Sequence, residues 1–360
     1  MRKIVFVVPN FDCGGAERVS VTFAKQLLRA GNRVEFVNIG DEVGAMRQWL
    51  EPDIPFVCLK QTRVAVAFKE LGKYLYASKP DYVYSSRHHV TILLLLLSLM
   101  LWRLHVVVRI PTMPTNRLER KSTVKLWGLR MMMKWLYRRA YWVIAQTEAM
   151  KEEVIKYYRI RASRIVVIPN PIDKEMINVQ AAALTPYETA LNFLAVGNVS
   201  YAKAYDVLIE AFRKVLQHRP EAYLYILGRH DSAYAAEIMA SATSCQEHIR
   251  FLGFQSNPYV YMRYCSVFVL SSRMEGCPNV LLEANYLNKR LVATQCVPIV
   301  EQVVHNGVNG YIVPVDDSQA LADAMLKACD LAEGIHNTVS DNCCAIVKLF
   351  RYDANSKNLL

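Results

Sequence analysis

Short β-branched runs alternate with helix-length amphipathic stretches along this chain, and the alternation stops and restarts once, beside two prolines. A strand that must be followed by a helix before the next strand cannot close a hairpin. The pattern therefore commits the chain to parallel sheets covered by helices. In the first half, strands are expected at Ile4–Val8, Val34–Asn38, Phe56–Leu59, Tyr82–Ser85, His105–Arg109, Trp142–Ala145 and Ile165–Ile168. In the second they are expected at Asn192–Val196, Ala222–Leu227, Ile249–Leu252, Ser266–Leu270, Leu291–Ala293 and Tyr311–Val313. The break is Pro169-Asn170-Pro171-Ile172-Asp173, where two prolines in three residues forbid a continuous helix or a central strand. It divides the 360 residues into domains at 1–170 and 171–340, each of ordinary size, with 341–360 as a final helix that can cross back to the first domain. Asn178 to Ala190 reads as a soft link ahead of the next strand. The expected fold class is α/β, two Rossmann-like doubly wound domains facing a central cleft, because ligands of such sheets sit beyond the carboxyl ends of the strands.

Fifty-three per cent of the residues are apolar and no Gly/Ser, Gln or Pro tract interrupts them, so both halves have the material for a packed core. The net charge of +11 is unevenly spread: residues 1–170 hold 28 Lys/Arg against 13 Asp/Glu, and residues 171–360 hold 15 against 19. An anionic partner thus belongs to the first half. Nucleic acid is not expected, because zinc-finger spacing, a basic zipper and an aromatic RNA-binding signature are all missing. The nine cysteines are singletons apart from Cys343-Cys344, without a CxxC pair for zinc, and fit reduced thiols in the cytosol. Met1-Arg2-Lys3 and the apolar run that ends at Pro9 are too short for a signal-peptide core and read as the first strand. The most hydrophobic stretch, Thr91 to Trp102, falls short of the roughly 20 residues that span a bilayer and reads as a buried helix.

After the first strand, Gly14-Gly15-Ala16-Glu17-Arg18 leads into an amphipathic helix. Paired glycines let the backbone approach a ligand closely and helix-start amides favour an anion, though a Gly-Gly pair also serves as a plain turn. It is not the GxGxxG of a dinucleotide site, which weakens a dehydrogenase reading. The second half opens on a strand ended by Gly197 and Asn198, with Lys203 near the start of the next helix. An ammonium there suits a diphosphate together with the helix amides, whereas a lone surface lysine is merely solvated. A strongly apolar strand is followed by Ser271-Ser272-Arg273-Met274-Glu275-Gly276-Cys277-Pro278-Asn279-Val280-Leu281-Leu282-Glu283-Ala284. Glu275 falls in a glycine- and proline-containing loop and Glu283 in the helix after it, so both face the carboxyl end of one sheet. Carboxylates are acceptor-only groups that suit the paired hydroxyls of a sugar or ribose; the plainer reading makes Glu275 a cap and Glu283 a solvent-facing residue.

In order, Gly14 to Arg18, Pro169-Asn170-Pro171, Val196-Gly197 with Lys203 and Asp206 to Phe212, Leu252-Gly253-Phe254, Glu275 with Glu283, and Gly307 to Gly310 with Val313-Pro314 resemble glycosyltransferase family 4 over roughly residues 1–330. The resemblance implies a retaining enzyme of the GT-B type that uses a nucleoside diphosphate sugar as co-substrate, with no cofactor and no metal. By position, it implies that Gly14 and Gly15 border the donor phosphate and the acceptor. Gly197 and Asn198 would line the donor, and Lys203 would stabilise the departing diphosphate. Glu275 would hold the donor sugar with the Gly276, Cys277, Asn279 and Val280 backbone, and Glu283 would bind the ribose. Charge developing on the leaving phosphate is the quantity to stabilise, so a fixed cation and amides do the work of a metal, in keeping with the lack of a DxD motif. Three departures stand out. Asn198 replaces the family's usual Arg, Ala204 replaces a usual Gly after the lysine, and Val108-Arg109-Ile110-Pro111-Thr112 stands where a histidine is usual. Arg229 or Arg273 is a neighbour able to restore the lost charge, and His88, His89 and Arg109 are the acceptor-side candidates.

Arg117–Arg139 holds eight Lys/Arg and one acid, Glu119. At helical spacing, Leu118, Leu126, Leu129, Met133 and Leu136 form an inward side, while Val124, Trp127, Met131 and Trp135 form a narrow opposite stripe. Lys121, Lys125 and Arg139 edge that stripe on one flank, and Arg130 and Lys134 on the other. An apolar stripe edged by cations suits either another helix or the headgroup region of an anionic membrane. Trp127, Arg130, Lys134 and Trp135 are therefore the membrane-docking candidates. The sequence-level expectation is a cytoplasmic enzyme, peripheral on the inner face of the membrane. It would take a nucleotide sugar as donor and a growing, lipid-linked glycan as acceptor, with a sugar-nucleotide-binding module of weak activity and a GT-B epimerase as rival readings.

Overall fold

The computed structural model describes residues 1–11, 14–40, 47–112, 124–332 and 343–351, with the backbone alone for 124–130, 343, 344 and 351. The expected strands are present, with ends that agree to within one residue: β1 Lys3–Val8, β2 Arg33–Asn38, β3 Phe56–Cys58, β4 Tyr82–Ser85, β5 His105–Arg109, β6 Trp142–Ala145 and β7 Ile165–Val167, then β8 Asn192–Val196, β9 Tyr223–Leu227, β10 Ile249–Gly253, β11 Val267–Leu270, β12 Arg290–Thr294 and β13 Gly310–Val313.

The first compact unit holds residues 1–172 and takes in the helix Cys343–Arg351. Its sheet runs β3-β2-β1-β4-β5-β6-β7. Neighbours are parallel, with Ile4 opposite Val34 and Tyr82. Alternate residues of β1 point to opposite faces. Val5 and Val7 join one core cluster with Leu94, Val108 and Val143, while Ile4 and Phe6 join a second with Phe23, Phe36 and Trp142. Ile346, Leu349 and Phe350 of the last helix belong to that second cluster, and the Phe350 ring meets Tyr82 edge-on at 5.1 Å. The apolar run becomes the helix His88–Met100, whose Val90, Leu94 and Leu95 are fully buried. No helix among the described residues is long and apolar enough to cross a membrane.

The second unit, residues 173–340, has a six-stranded parallel sheet in the order β10-β9-β8-β11-β12-β13. Phe193 and Ala195 of β8 face a core built with the helices Tyr205–His218 and Ser318–Cys329. One expectation fails here. The segment read as a soft link is partly the helix Lys174–Ala181, because Asp173 caps it by accepting the Met176 N–H at 3.0 Å and Ile177 and Ala181 are buried.

Candidate active site

At the carboxyl end of β8 the chain turns at Gly197, whose φ of +154° and neighbours suit only glycine. A Cβ there would lie 2.5 Å from Lys203 Cε, and a Cβ on Gly228 would lie 2.1 Å from the Gly197 carbonyl oxygen. The two glycines thus let β8 and β9 close up and let the Lys203 stem lie across the backbone. Lys203 ends the short 3-10 turn Tyr201–Lys203, and Ala204 passes into the helix Tyr205–His218 with φ +51° and ψ +45°. Ala204 stands where the family resemblance implies a glycine, and the left-handed backbone is the physical reason for that preference.

Lys203 Nζ lies 2.7 Å from Glu275 Oε1, with side chains 20% and 17% exposed. Glu275 follows β11, and its Oε1 also accepts the Ser272 hydroxyl at 2.8 Å. The Ser271 hydroxyl donates to the Lys203 carbonyl at 2.8 Å, so the two segments are stitched on both sides of the ion pair. Thr294 of β12 donates to the Ser272 carbonyl at 2.5 Å. Nearby, burial and then the Glu275 charge push the Cys296 thiol up to about 11, and burial and Glu275 likewise raise the Tyr205 phenol. Tyr205 donates to the Gly197 carbonyl at 3.0 Å.

Gly276 and Cys277 are buried, and Asn279 and Val280 form the first turn of the helix Asn279–Tyr286. That helix carries Glu283, 5% exposed, whose Oε1 accepts the Tyr259 hydroxyl at 3.4 Å. The arrangement offers a half-open ammonium, a carboxylate and a helix start together at the carboxyl ends of β8 and β11, the groups that an anionic sugar derivative needs. Among the described residues no group of three His, Cys, Asp or Glu is placed to hold a metal ion. Asn198 Oδ1 accepts the Arg229 N–H at 3.0 Å and helps fix the end of β9. Arg273 is bound to Asp206 and Asp316 and is not free to restore the charge that Asn198 lacks.

The remaining candidates lie in the first unit. Gly14 precedes the helix Gly15–Arg29, and a Cβ on it would come within 2.4 Å of Glu17 Oε2 and 2.9 Å of Arg87 Nη2. Glu17 is 1% exposed and takes both Nε and Nη2 of Arg87 at 2.6 Å, a pair separated by seventy residues that sequence reading missed. His88 is buried, and its Nδ1 meets the Tyr137 hydroxyl. Arg109 is also buried, with Nη2 donating to Asn170 Oδ1. His89 stays at the surface, where partial desolvation and then the Arg87 charge lower its pKa.

In the basic segment the helix is Val124–Tyr137. Met133 and Leu136 are buried as the inward side requires, Met131 and Trp135 are 48% and 51% exposed, and Lys134 Nζ lies 4.7 Å from the Tyr157 ring centre. Leu118 and Lys121, and the side chains of Trp127 and Arg130, lie outside the described residues.

Residues 13–176 match the family described as Glycosyltransferase Family 4, and residues 177–338 match the one described as Glycosyl transferases group 1. An uncharacterised glycosyltransferase of Methanocaldococcus jannaschii is 26% identical over 45% of this chain and 42% of its own length. The Campylobacter jejuni N-acetylgalactosamine-N,N'-diacetylbacillosaminyl-diphospho-undecaprenol 4-alpha-N-acetylgalactosaminyltransferase is 22% identical over 89% of this chain and 88% of its own. The crystal structure of Anabaena HepE in complex with UDP-glucose superposes with a TM-score of 0.76 at 20% identity, covering 98% of this chain and 96% of that one. With one family match on each half and the same two parallel-sheet units, the chain belongs to the group 1, family 4 glycosyltransferases and has their GT-B fold.

Proposed function

We propose that this enzyme transfers a hexose or N-acetylhexosamine, with retention at the anomeric carbon, from a nucleoside diphosphate sugar to a growing lipid-linked glycan in bacterial surface polysaccharide assembly. The observation that carries the reading is the half-open Lys203–Glu275 pair over Gly197. In the transfer, the bond from the anomeric carbon to the diphosphate oxygen breaks and the acceptor oxygen bonds to that carbon. The acceptor proton passes to the departing diphosphate. Lys203 takes up the charge that grows on the leaving group and Glu275 accepts hydroxyls of the sugar, so neither role calls for a metal ion. Relatives whose names specify diphospho-undecaprenol substrates, and others named for capsular polysaccharide and lipopolysaccharide core biosynthesis, support the acceptor class. A lipid-linked acceptor also gives the basic first half and the exposed Trp135 a role at the cytoplasmic face of the membrane.

Asn198, engaged by the Arg229 backbone where the family usually has a cation, favours one alternative, a sugar-nucleotide-binding module of little turnover. The test is a panel of nucleoside diphosphate sugars offered with a lipid-linked acceptor in EDTA. Glycan extension that keeps the donor's anomeric configuration is the expected result. Donor binding without turnover supports the binding module, and donor conversion without acceptor points to an epimerase.

A further inference from the structure

One side chain ties the loop after β11 to the turn that carries Lys203. Arg273 is only 11% exposed on its side chain, and its Nη2 donates to Asp206 Oδ2 at 2.6 Å. Its Nη1 donates to Asp206 Oδ1 and to the Tyr201 carbonyl, each at 3.0 Å, and its Nε donates to Asp316 Oδ1 at 2.5 Å. The guanidinium sits 4.3 Å from the centre of the Tyr201 ring, and the Arg273 backbone N–H donates to the Ala202 carbonyl at 2.8 Å. Tyr201, Ala202 and Asp206 bracket Lys203 in sequence, while Arg273 is two residues from Glu275. Burial alone pushes the Asp206 carboxyl up, but the hydrogen bonds and charge of Arg273 outweigh it and hold the group below its ordinary value.

The turn needs such a hold. Ala204 occupies a left-handed conformation that an L-residue with a Cβ disfavours, so the surroundings and not local preference keep Lys203 presented.

We propose that Arg273 is a positioning residue of the transfer site, clamping residues 201–206 to the Glu275 loop and to Asp316 so that the Lys203 ammonium is fixed where the leaving diphosphate develops charge. The clamp rests on the donor-site reading above. A planar fork that meets a carboxylate with two parallel bonds, a carbonyl and a second carboxylate has no equivalent in lysine.

The test is steady-state kinetics on the full chain carrying Arg273→Lys or Asp316→Asn, each alone and combined with Lys203→Ala. Arg273→Lys keeps the charge and loses the fork, and is expected to lower kcat about tenfold while donor KM stays within about threefold. Asp316→Asn keeps the Asp206 pair and is expected to lower kcat about threefold. In the Lys203→Ala background neither change should lower kcat further, because no ammonium is left to position. A folded Arg273→Lys enzyme with wild-type kcat overturns the clamp, and so does the same fold-loss in both backgrounds. If Arg273→Lys does not fold, Asp316→Asn decides by the same comparison. Wild-type kcat in Lys203→Ala sinks the donor-site reading and the clamp with it, whereas a slow Lys203→Ala beside a normal Arg273→Lys sinks the clamp alone.

Discussion

The carboxyl ends of the two sheets use the same three pieces, a glycine, a carboxylate and a cation, to different ends. In the first unit Gly14 lies against a Glu17–Arg87 pair whose carboxylate is 1% exposed, beneath a side chain that is 42% exposed. In the second, Gly197 lies under Lys203, and both members of the Lys203–Glu275 pair keep about a fifth of their surface open. A carboxylate sealed in the interior cannot exchange its partner without an unpaired buried charge, whereas a half-open pair can trade a carboxylate for a phosphate. Similar chemistry thus differs in how far it is closed to solvent in the two places.

The largest expected effect breaks the sealed pair. Arg87→Ala leaves Glu17 buried without its cation and should cost about 3–5 kcal/mol in urea unfolding. A loss under about 1 kcal/mol would show that water already reaches Glu17. A second experiment asks whether the first unit's basic surface has a ligand of its own. The partition constant for anionic vesicles at low salt, read by sedimentation, should fall at least roughly thirtyfold when Trp127, Arg130, Lys134 and Trp135 are all replaced by Ser, since each of the two cations contributes about 1 kcal/mol. Unchanged sedimentation, or equal sedimentation with neutral vesicles, removes membrane docking from that segment.

The open pair should answer differently. Lys203→Ala and Glu275→Ala are each expected to cut turnover at least about tenfold, roughly 1.4 kcal/mol of transition-state stabilisation, while the fold is retained. Wild-type rates in both folded variants would place the donor elsewhere. The smallest effect belongs to Ala204→Gly. Relief of about 1–2 kcal/mol of left-handed strain is offset by a lost methyl of about 0.8 kcal/mol and by glycine's added chain entropy of about 0.5–1 kcal/mol. Stability should stay within about 1 kcal/mol of wild type, and a drop of about 1.3–1.8 kcal/mol, the full methyl and entropy cost, would mean the turn is not strained.

The strands were legible because parallel strands buried on both faces read as β-branched runs in the sequence, as Ile4 to Val8 does. The helix Lys174–Ala181 escaped because its signal is one capping aspartate next to two prolines. Within the site, Lys203 and Glu275 came from their place after a strand and from the family resemblance. Their contact, across 72 positions, is a product of sheet topology. The same holds for Arg87 with Glu17 and for Arg273 with Asp206 and Asp316: each partner looks like an ordinary surface charge until β1 lies beside β4, or β8, β11 and β13 end on the same side of one sheet. The contact of His88 with Tyr137, 49 positions apart, is likewise set by the packing of two helices and not by local sequence.

The proposed site for the donor's diphosphate is the Lys203–Glu275 pair of the second unit. Amide hydrogen exchange of the intact protein, with and without a saturating nucleoside diphosphate, tests it most directly, because local protection reports which backbone a ligand steadies. Slower exchange is expected in the segments 196–205 and 271–284, with loss of that protection in Lys203→Ala at the same ligand concentration. Saturable binding that leaves both segments unprotected would contradict it.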